Sequence, residues 1–402
     1  MIKIPQEDLF FYFFDLAHKE PSKRTNIQDI EKYWPLIKGA DFNAKSLYAI
    51  LHRTVICVKD LRNKGDHHGL DYLRQNIGIW EEAALQQISD FHIPGLTGIC
   101  WAYTTLGVKP DQRILAQLKE QIIVKLPEFT APSIITTLWA DATLDIPPAA
   151  DLLTAYEKRI NQILEEPNPE LQFMIPGIAN IFWAAAVFNV IGSDTFSTNL
   201  IEKLYKLTKQ HDNLTTESQT QVLMASKHFN LPVPNFAWPI DTNASLLRES
   251  LWQSLKTAGA VRRPNKYLSE IGMPLDFCLL PDANSIREVL LEVDSRGLFN
   301  YRDGKVSGLN GKTLLMTELI YNDHPTSPLV RVPFFTFNDM KRNPNPELQW
   351  KNFLSQLENL EPAPYIALPD KGRITLRPIK INLAAKLDTA FSNKGSGPEL
   401  AA

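Results

Sequence analysis

Cysteine is scarce in this chain of 402 residues, which contains only Cys57, Cys100 and Cys278 and has no Cys-x-x-Cys pair. An odd number of widely spaced cysteines argues against a disulfide framework and against a structural zinc site. Excess charge is lacking too, because the formal net charge is −3 at pH 7. A polyanion partner would therefore need a local basic surface, and a reducing compartment suits the thiols best.

Signals for export and for membrane insertion are also missing. Residues 1–23 carry Glu7, Asp8 and Asp15 among their apolar residues, which is unlike a secretory signal or an acid-poor transit peptide. We find no run of about 18 apolar residues of the kind that spans a bilayer. These absences favour a cytoplasmic protein, bacterial or cytosolic, without a membrane partner. An organellar protein and a protein translocated into a host are the alternatives.

The most regular feature that the chain does have is a repeated tryptophan segment. Trp101, Trp139 and Trp183 are each followed by alanine, and intervals of 38 and 44 residues separate them. A phenylalanine stands ten residues before each tryptophan and a proline seven before, and an apolar residue and a turn former follow five and six after. These frame residues are Phe91, Phe129 and Phe173; Pro94, Pro132 and Pro176; Leu106, Leu144 and Phe188; and Gly107, Asp145 and Asn189.

Repetition at this period predicts stacked helical hairpins, that is, an α-solenoid. With weaker copies centred on His52 and Met224, the frame gives about five hairpins of about 38 residues over 41–235. Proline suits the start of each first helix, and the segments 111–124 and 150–164 read as second helices. We interpret the three tryptophans as buried core residues of the repeat rather than as a ligand platform. Residues 1–40 are predicted to form a helical cap.

Residues 236–402 follow a different pattern. The segment 236–260 contains one connecting helix, and 261–360 alternates β-prone runs with helices, which predicts a small mixed α/β domain. The expected strands lie at 273–280, 286–293 and 329–335, and the expected helices at 313–321 and 346–360. Residues 361–402 are predicted to be an extended or disordered tail. The fold class is therefore mainly α, with an α/β domain after the repeats.

The two halves together resemble a known combination. The hairpins, with a phenylalanine followed by a Trp-Ala pair, a leucine and a turn, resemble the octotricopeptide repeats and their relatives in the FAST-kinase-domain proteins. Residues after them resemble the RAP domain that follows such repeats, and the resemblance covers about residues 42–360. The matching segments are Leu275-Asp276-Phe277, Leu291-Glu292-Val293-Asp294, Asn310-Gly311-Lys312-Thr313 and Arg331-Val332-Pro333-Phe334.

This resemblance implies sequence-selective binding of single-stranded RNA, in RNA processing, stability or translation. Each hairpin would then offer polar side chains of its first helix to roughly one base. The candidate contact residues just upstream of the frame tryptophan or its equivalent are Thr97, Thr136, Thr137, Asn180 and Gln221. Asn180 and Gln221 suit a base edge, and the threonines suit sugar or base. The cluster of Arg262, Arg263 and Lys266 suits phosphates; the alternative for all of them is solvated surface.

The resemblance also raises a nuclease alternative, because RAP domains are similar to the restriction-endonuclease-like PD-(D/E)XK fold. Asp276, Glu292 and Asp294 are candidate catalytic carboxylates for Mg²⁺ or Mn²⁺, since such an enzyme needs two or three carboxylates and a lysine. Met316 stands where the family often has lysine, and Ser295 follows Asp294 where the family has glycine. We therefore expect a domain without catalysis, metal or cofactor. A protein-binding α-solenoid is the remaining alternative, and no oligomeric state is predicted.

Overall fold

Two compact units make up the part of the chain that the structure describes. The structure is a computed structural model. It describes residues 27–38, 40–63, 66–167, 169–192, 195–209, 214–234, 276–279, 289–324, 329–334, 365–370 and 373–378, with isolated positions at 253, 263–264, 344–345 and 348. A helical unit contains the described parts of 1–185, 193–211 and 299–310, and a sheet unit contains those of 186–192, 212–298 and 311–402. Segments distant in sequence thus join each unit.

Helices form most of the helical unit, and the described chain is mainly helical, as the repeated pattern predicts. They are α1 (Ile27–Tyr33), α2 (Ala44–Asn63), α3 (His68–Ala84), α4 (Ile93–Leu106), α5 (Gln112–Lys125), α6 (Ala131–Thr143), α7 (Ala150–Leu164), α8 (Pro169–Val190) and α9 (Thr198–Lys209). The last five residues of α8 belong to the sheet unit. Helices α2, α4, α6 and α8 carry the repeated frame and are called the first helices. The predicted second helices at 111–124 and 150–164 are confirmed as α5 and α7.

The first helices pack side by side, and so do the second helices. Helix α2 contacts α4, and α4 contacts α6, while α5 contacts α7. Within the hairpins, α2 contacts α3, α4 contacts α5 and α6 contacts α7. The frame phenylalanines Phe91, Phe129 and Phe173 are at most 2% exposed. Their recurrence therefore reflects a repeated core position, and apolar burial of this kind is the main stabilising term of the unit.

Helix ends follow the predicted turn formers with one exception. Gly107 caps α4 with a φ of 67°, and Asp145 after α6 has a φ of 54°. The prediction that Asn189 forms the third turn is wrong, because it lies inside α8 and Gly192 adopts the left-handed φ of 80° instead. Helix α8 is itself broken at Met174, whose φ is 48°. Helices α4 and α6 begin just before their frame prolines, whereas α8 begins earlier and is interrupted at one residue, Met174, shortly before Pro176.

The sheet unit combines α10 (Thr216–His228) and α11 (Gly311–Asp323) with a mixed sheet. Its strands are β1 (Arg263–Pro264), β2 (Phe277–Leu279), β3 (Val289–Asp294), β6 (Leu329–Pro333), β7 (Tyr365–Asp370) and β8 (Arg373–Pro378). Among the described residues the order is β1-β2-β3-β6-β7-β8, with β3, β6 and β7 parallel. The expected strands β3 and β6 and the helix α11 are confirmed. Leu290, Leu291, Val330 and Val332 are fully buried, as central parallel strands require.

Part of the predicted tail is regular structure. Strands β7 and β8 pair antiparallel from Tyr365↔Pro378 to Asp370↔Arg373, so the prediction of an extended or disordered tail is wrong for 365–370 and 373–378. Both segments contain β-prone residues. Residues 1–26 of the predicted cap, the connecting helix predicted within 236–260 and the helix predicted at 346–360 lie outside the described residues apart from isolated positions.

A second, unpredicted hairpin belongs to the helical unit. It consists of β4 (Phe299–Arg302) and β5 (Lys305–Leu309). The two residues of its turn, Asp303 and Gly304, have φ values of 50° and 71°. Positive φ at both central positions is the mark of a type I′ turn, whose twist matches that of antiparallel strands.

Candidate nucleic-acid interface

The outward sides of the first helices form one surface of the helical unit, here called the first-helix face. It consists of half-buried residues that stand at the frame tryptophan or its equivalent, or three or four residues before it, on helices that lie side by side. They are Tyr48 and His52 on α2, Thr97 and Trp101 on α4, Thr136 and Trp139 on α6, and Asn180 on α8. Such spacing places the side chains on one side of each helix. The face therefore combines aromatic rings with hydroxyl and amide groups.

Three rings on this face touch in series and are called the ring cluster. The ring centroids of Tyr48 and His52 are 5.4 Å apart with planes at 43°, and those of His52 and Trp101 are 5.0 Å apart with planes at 46°. Lys59, two turns after His52 on α2, places its Nζ 5.8 Å from the Trp101 centroid. Burial and the positive charge of Arg53 lower the pKa of His52, so its imidazole is neutral at pH 7.

Glycine at position 98 makes room for the ring cluster. A Cβ on Gly98 would lie 2.2 Å from the Tyr48 ring, so the ring rests directly on the backbone of α4. Further along the face, a Cβ on Gly177 of α8 would lie 2.3 Å from Ile135 of α6. Tyr48 and Ile135 occupy equivalent frame positions. Close approach at a glycine is thus how each of these side chains fits between neighbouring first helices.

Acidic groups are almost absent from the middle of the face. Helix α4 contains no charged residue, and α6 contains only Asp141. Asp141 is 3% exposed and is paired with Lys119 of α5. Burial raises the pKa of Asp141, and Lys119 opposes this effect. Helix α2 adds exposed Lys45 and Lys59, so the face is uncharged along α4 and α6 and basic beside α2.

Two predicted contact residues, Thr97 and Thr136, lie on the face. The Thr97 hydroxyl donates to Ile93 O at 3.0 Å, and the Thr136 hydroxyl donates to Pro132 O at 2.9 Å. Because each hydroxyl proton bonds to its own helix, the oxygen lone pairs are the groups that a ligand would meet. Asn180 is half-buried on α8 and makes interactions within the protein.

Other predicted contact residues are not on the face. Thr137 is fully buried and donates to Ser133 O and Ile134 O at 3.0 Å, and Gln221 is 8% exposed, so the expectation of exposed polar positions is wrong for both. Each lies on the core side of its helix, because successive residues of a helix point in different directions and the neighbour of an outward-facing residue can face the core. Arg262 and Lys266 lie outside the described residues, and only the backbone of Arg263 in β1 is described.

The three frame tryptophans do not share one environment. Trp183 is 3% exposed, as the interpretation of buried core predicts. Trp101 and Trp139 are half-buried, so that interpretation is wrong for these two. Their rings form part of the first-helix face, and Trp101 belongs to the ring cluster.

The three candidate carboxylates come together in the sheet unit but are buried. Asp276, Glu292 and Asp294 are at most 7% exposed. Glu292 Oε1 accepts the Asp276 backbone N–H at 3.0 Å, and Asp276 Oδ2 accepts the Val293 N–H at 2.8 Å. Burial, and then the Asp276 carboxylate, raises the pKa of Glu292 to about 8. The Asp276 and Glu292 carboxylates therefore link the residue before β2 to strand β3.

Arg331 occupies the middle of this carboxylate group. Its Nε and Nη2 atoms donate to the two oxygens of Asp294 at 3.0 and 2.5 Å, and Nη1 donates to Thr317 Oγ1 at 3.1 Å. Burial acts to lower the pKa of Arg331, but Asp294, Glu292 and Asp276 raise it. In the described residues no group of three potential ligands is arranged to hold a metal ion. The cation that the Asp294 carboxylate binds is thus the Arg331 guanidinium, whereas a nuclease would bind a metal ion with such a carboxylate.

Sequence reasoning missed the β4–β5 hairpin and its contacts with the helices. The Tyr301 N–H donates to Gly107 O at 2.7 Å, and Tyr301 O accepts the Lys109 N–H at 2.9 Å. The Arg74 guanidinium lies 3.7 Å from the Tyr301 ring centroid, and Arg74 O accepts the Gly304 N–H at 3.1 Å. The Asp303-Gly304 pair between β-prone residues is the sequence signal that predicts such a hairpin.

Arg302 fixes this hairpin to α3. Its two Nη atoms donate to the two carboxylate oxygens of Glu81 at 2.8 Å each. Glu81 Oε1 also accepts the Tyr103 hydroxyl at 2.8 Å and the Asp111 N–H at 2.9 Å. The hydrogen bond and the charge of Glu81 raise the pKa of Arg302, although burial opposes them. Bidentate pairs of this kind are the strongest side-chain hydrogen bonds in proteins.

One helix contradicts the expectation about apolar runs. The segment Phe173–Val190 is 18 residues long with a mean hydropathy of 1.6, which by length and composition is enough to cross a bilayer. The expectation that no such run exists is therefore wrong. However, 72% of the segment is buried inside the structure, so we interpret it as a core helix.

Comparisons with known proteins do not place the chain in a family. A scan against protein-family models finds no match. A search of curated proteins finds no relative at a significant level. A function for the chain therefore has to be argued from its residues and their geometry.

Proposed function

We propose that this chain is a single-stranded RNA-binding protein, in which helical hairpins form an α-solenoid and the first-helix face contacts the RNA. The proposal rests on the resemblance to octotricopeptide and FAST-kinase-domain repeats followed by a RAP domain. The observation that carries it is the character of the face. Half-buried rings alternate with hydroxyl and amide groups. Helix α4 has no acidic side chain, the only acidic side chain of α6 is the buried Asp141, and α2 adds exposed lysines.

Each part of this face suits a different part of a nucleotide. Trp101 and Trp139 offer ring faces on which unpaired bases stack, which tolerates many sequences. Thr97 and Thr136 offer acceptor oxygens to ribose hydroxyls or base amino groups. Asn180 carries both a donor and an acceptor, the combination that reads a base edge. Selectivity among sequences would then come from the positions between the rings.

The sheet unit fits a supporting role better than a catalytic one. We assign it to the RAP-like, restriction-endonuclease-like class on the resemblance of its segments, and we propose that its carboxylates are structural. Arg331 neutralises Asp294 through both oxygens, and Glu292 and Asp276 bond to backbone amides. Breaking such a buried ion pair to admit a cation would leave the guanidinium uncompensated, which is costly.

Retention on RNA tests the proposal directly. The full chain is incubated with a pool of random single-stranded RNA at 50 and 200 mM salt, and bound RNA is recovered and sequenced. We expect retention at the lower salt and weaker retention at the higher one, because phosphate contacts release counterions. Enriched sequences in the bound pool would support selective reading.

Two matched charge variants locate the surface. Lys45→Gln/Lys59→Gln removes two exposed cations from α2, and Arg113→Gln/Lys158→Gln removes two exposed cations from second helices. The slope of log affinity against log salt is negative, and the first double variant should make it less steep by about 1.4, that is, about 0.7 for each phosphate contact on a single strand. The second should leave the slope unchanged. No retention at low salt would sink the RNA proposal, and a protein captured by the same face would favour the scaffold alternative.

A further inference from the structure

The ring cluster differs from the rest of the first-helix face, because only there do three rings make a continuous series among the described residues. Tyr48, His52 and Trp101 lie at successive centroid distances of 5.4 and 5.0 Å. Trp139 occupies the same frame position as Trp101, but the described residues give it no aromatic partner. The cluster is therefore a local feature of α2 and α4 and not a property of every hairpin.

The cluster is held in place by its surroundings. Tyr48 rests on the backbone of α4 at Gly98, where any Cβ would overlap its ring. His52 lies between the other two rings and so fixes their separation. A series of rings that is set in advance loses little conformational freedom when it binds a ligand.

The charge around the rings narrows the class of ligand. Lys59 lies over Trp101, and Lys45 is exposed on the same helix. These cations disfavour a quaternary ammonium or another cationic ligand, the usual guest of an aromatic cage. The negative ring faces disfavour a bare carboxylate peptide. A ligand that presents a flat neutral ring joined to an anion satisfies both requirements, and a nucleotide within a strand is such a ligand.

We propose that Tyr48, His52 and Trp101 form a stacking site for one unpaired nucleobase, and that Lys59 binds the phosphate next to it. This site rests on the proposed function and sharpens it, because it lies at α2, the earliest of the first helices described, and so anchors one end of the strand. Bases bound further along the face are then counted from this anchor. A duplex does not enter the site, since its bases already stack on one another.

Three labelled strands of equal length test the chemistry of the site. They are 12-nucleotide single strands of adenylate, of uridylate and of abasic residues, and an adenylate–uridylate duplex serves as a fourth ligand. The full chain should bind adenylate most tightly, uridylate less tightly and the abasic strand least, because purines offer the largest stacking surface. Binding of the duplex should be no tighter than that of the abasic strand.

Substitutions then locate the stacked base. Trp101→Leu should weaken adenylate binding by roughly 5- to 150-fold, the range for loss of one stacked base, without changing the salt slope. Trp139→Leu, at the equivalent position on α6, is the matched comparison and should weaken adenylate binding less than Trp101→Leu, because Trp139 offers one ring outside the ring cluster. Lys59→Gln should instead lower the salt slope by about 0.7. Helix content and the thermal transition of each variant are measured beside its affinity.

A second variant keeps the test independent of the Trp101 core contacts. Gly98→Ala displaces the Tyr48 ring but removes no ring, and alanine is the better helix former, so the fold should be retained. This variant should weaken adenylate binding as well. Gly177→Ala is its control, because it crowds Ile135 on the same face without touching a ring of the cluster.

The results of these experiments distinguish failure of the ring-cluster site from failure of the RNA-binding proposal. Selective losses for Trp101→Leu and Gly98→Ala support the site. If the wild-type chain binds RNA but these variants bind adenylate as tightly as it does, or if Trp139→Leu loses as much as Trp101→Leu, the anchor site is overturned while RNA binding stands. If the wild-type chain binds none of the strands and retains no RNA from the random pool, both proposals fall.

Discussion

Arg302 and Glu81, which lie 221 residues apart in the sequence, form two side-chain hydrogen bonds of 2.8 Å each. The Glu81 side chain is 3% exposed and that of Arg302 is 26% exposed. A carboxylate this deeply buried needs its charge partner, because desolvation without compensation is expensive. The β4–β5 hairpin is thus a structural part of the helical unit, joined to it by a charged contact.

Removing the guanidinium should destabilise the protein. We expect Arg302→Leu to lower the free energy of unfolding by about 3 kcal/mol, because it leaves the Glu81 carboxylate buried without its cation. The double variant Glu81→Leu/Arg302→Leu should lose less than the sum of the two single variants. Urea unfolding followed by circular dichroism gives all three values. Arg113→Leu, which breaks an exposed pair with Asp111, is the control and should stay within about 0.5 kcal/mol of wild type.

Two glycines of the same hairpin should respond differently to alanine. Gly304→Ala should cost about 1–2 kcal/mol, because the position has a φ of 71° and the new Cβ would lie 2.5 Å from Gln75 Cγ. Gly308→Ala should be nearly neutral, since no atom lies within 4 Å of its Cβ position. Thermal unfolding of the two variants, compared with wild type, measures the difference. Equal shifts in melting temperature would contradict the turn assignment.

The carboxylate group of the sheet unit predicts a pH dependence of stability. The pKa of Glu292 in the folded protein is raised to about 8 by burial and by Asp276, whereas an unfolded glutamate titrates near 4.3. Between these values the folded protein holds a proton that the unfolded chain releases, so the free energy of unfolding should fall as the pH rises through this window. Arg331 and Asp294 also face the group, and Arg331 moderates the effect.

Substitution of Glu292 tests this assignment. Glu292→Gln keeps an oxygen to accept the Asp276 N–H and removes the titration, so the fall in stability between pH 5 and pH 8 should flatten. Asp276→Asn should move the fall to lower pH, because it removes a negative neighbour. Denaturant unfolding at pH 5, 6.5 and 8 provides the comparison. A profile in Glu292→Gln as steep as that of wild type would assign the dependence to another group.

Nuclease activity should not depend on Asp294. Labelled RNA and DNA are incubated with the full chain and Mg²⁺ or Mn²⁺, beside an Asp294→Ala variant whose folding is checked by circular dichroism. We expect no difference between the two proteins, because Arg331 already bonds to both oxygens of Asp294. Metal-dependent cleavage that disappears in a folded Asp294→Ala protein would instead establish the nuclease alternative.

The period of the repeat was readable from the sequence, because helical hairpins repeat their core residues at a fixed spacing. The frame phenylalanines and the prolines Pro94 and Pro132 recur where the structure needs them. The exposure of the tryptophans was not readable in the same way. Trp101 and Trp183 share the local pattern Ile-x-Trp-Ala, but whether the ring is covered depends on side chains from other parts of the fold.

The candidate sites show the same limit of local patterns. Thr136 and Thr137 are neighbours in sequence, yet one lies on the face and the other in the core, and only the rotation of α6 decides which. The parallel pairing of β3 with β6 sets Glu292 opposite Arg331. Such a register depends on strands 39 residues apart and cannot be deduced from either strand alone.

The hairpin contact also has a consequence for synthesis of the chain on the ribosome. Glu81 is translated 221 residues before Arg302, which corresponds to roughly 10 to 45 s at about 5–20 residues per second. Throughout that interval α3 to α5 exist without their guanidinium, and water or a chaperone must satisfy the Glu81 carboxylate. Helices α3 to α5 are therefore completed late, and a nascent chain released before residue 302 would keep the Glu81 carboxylate without its cationic partner.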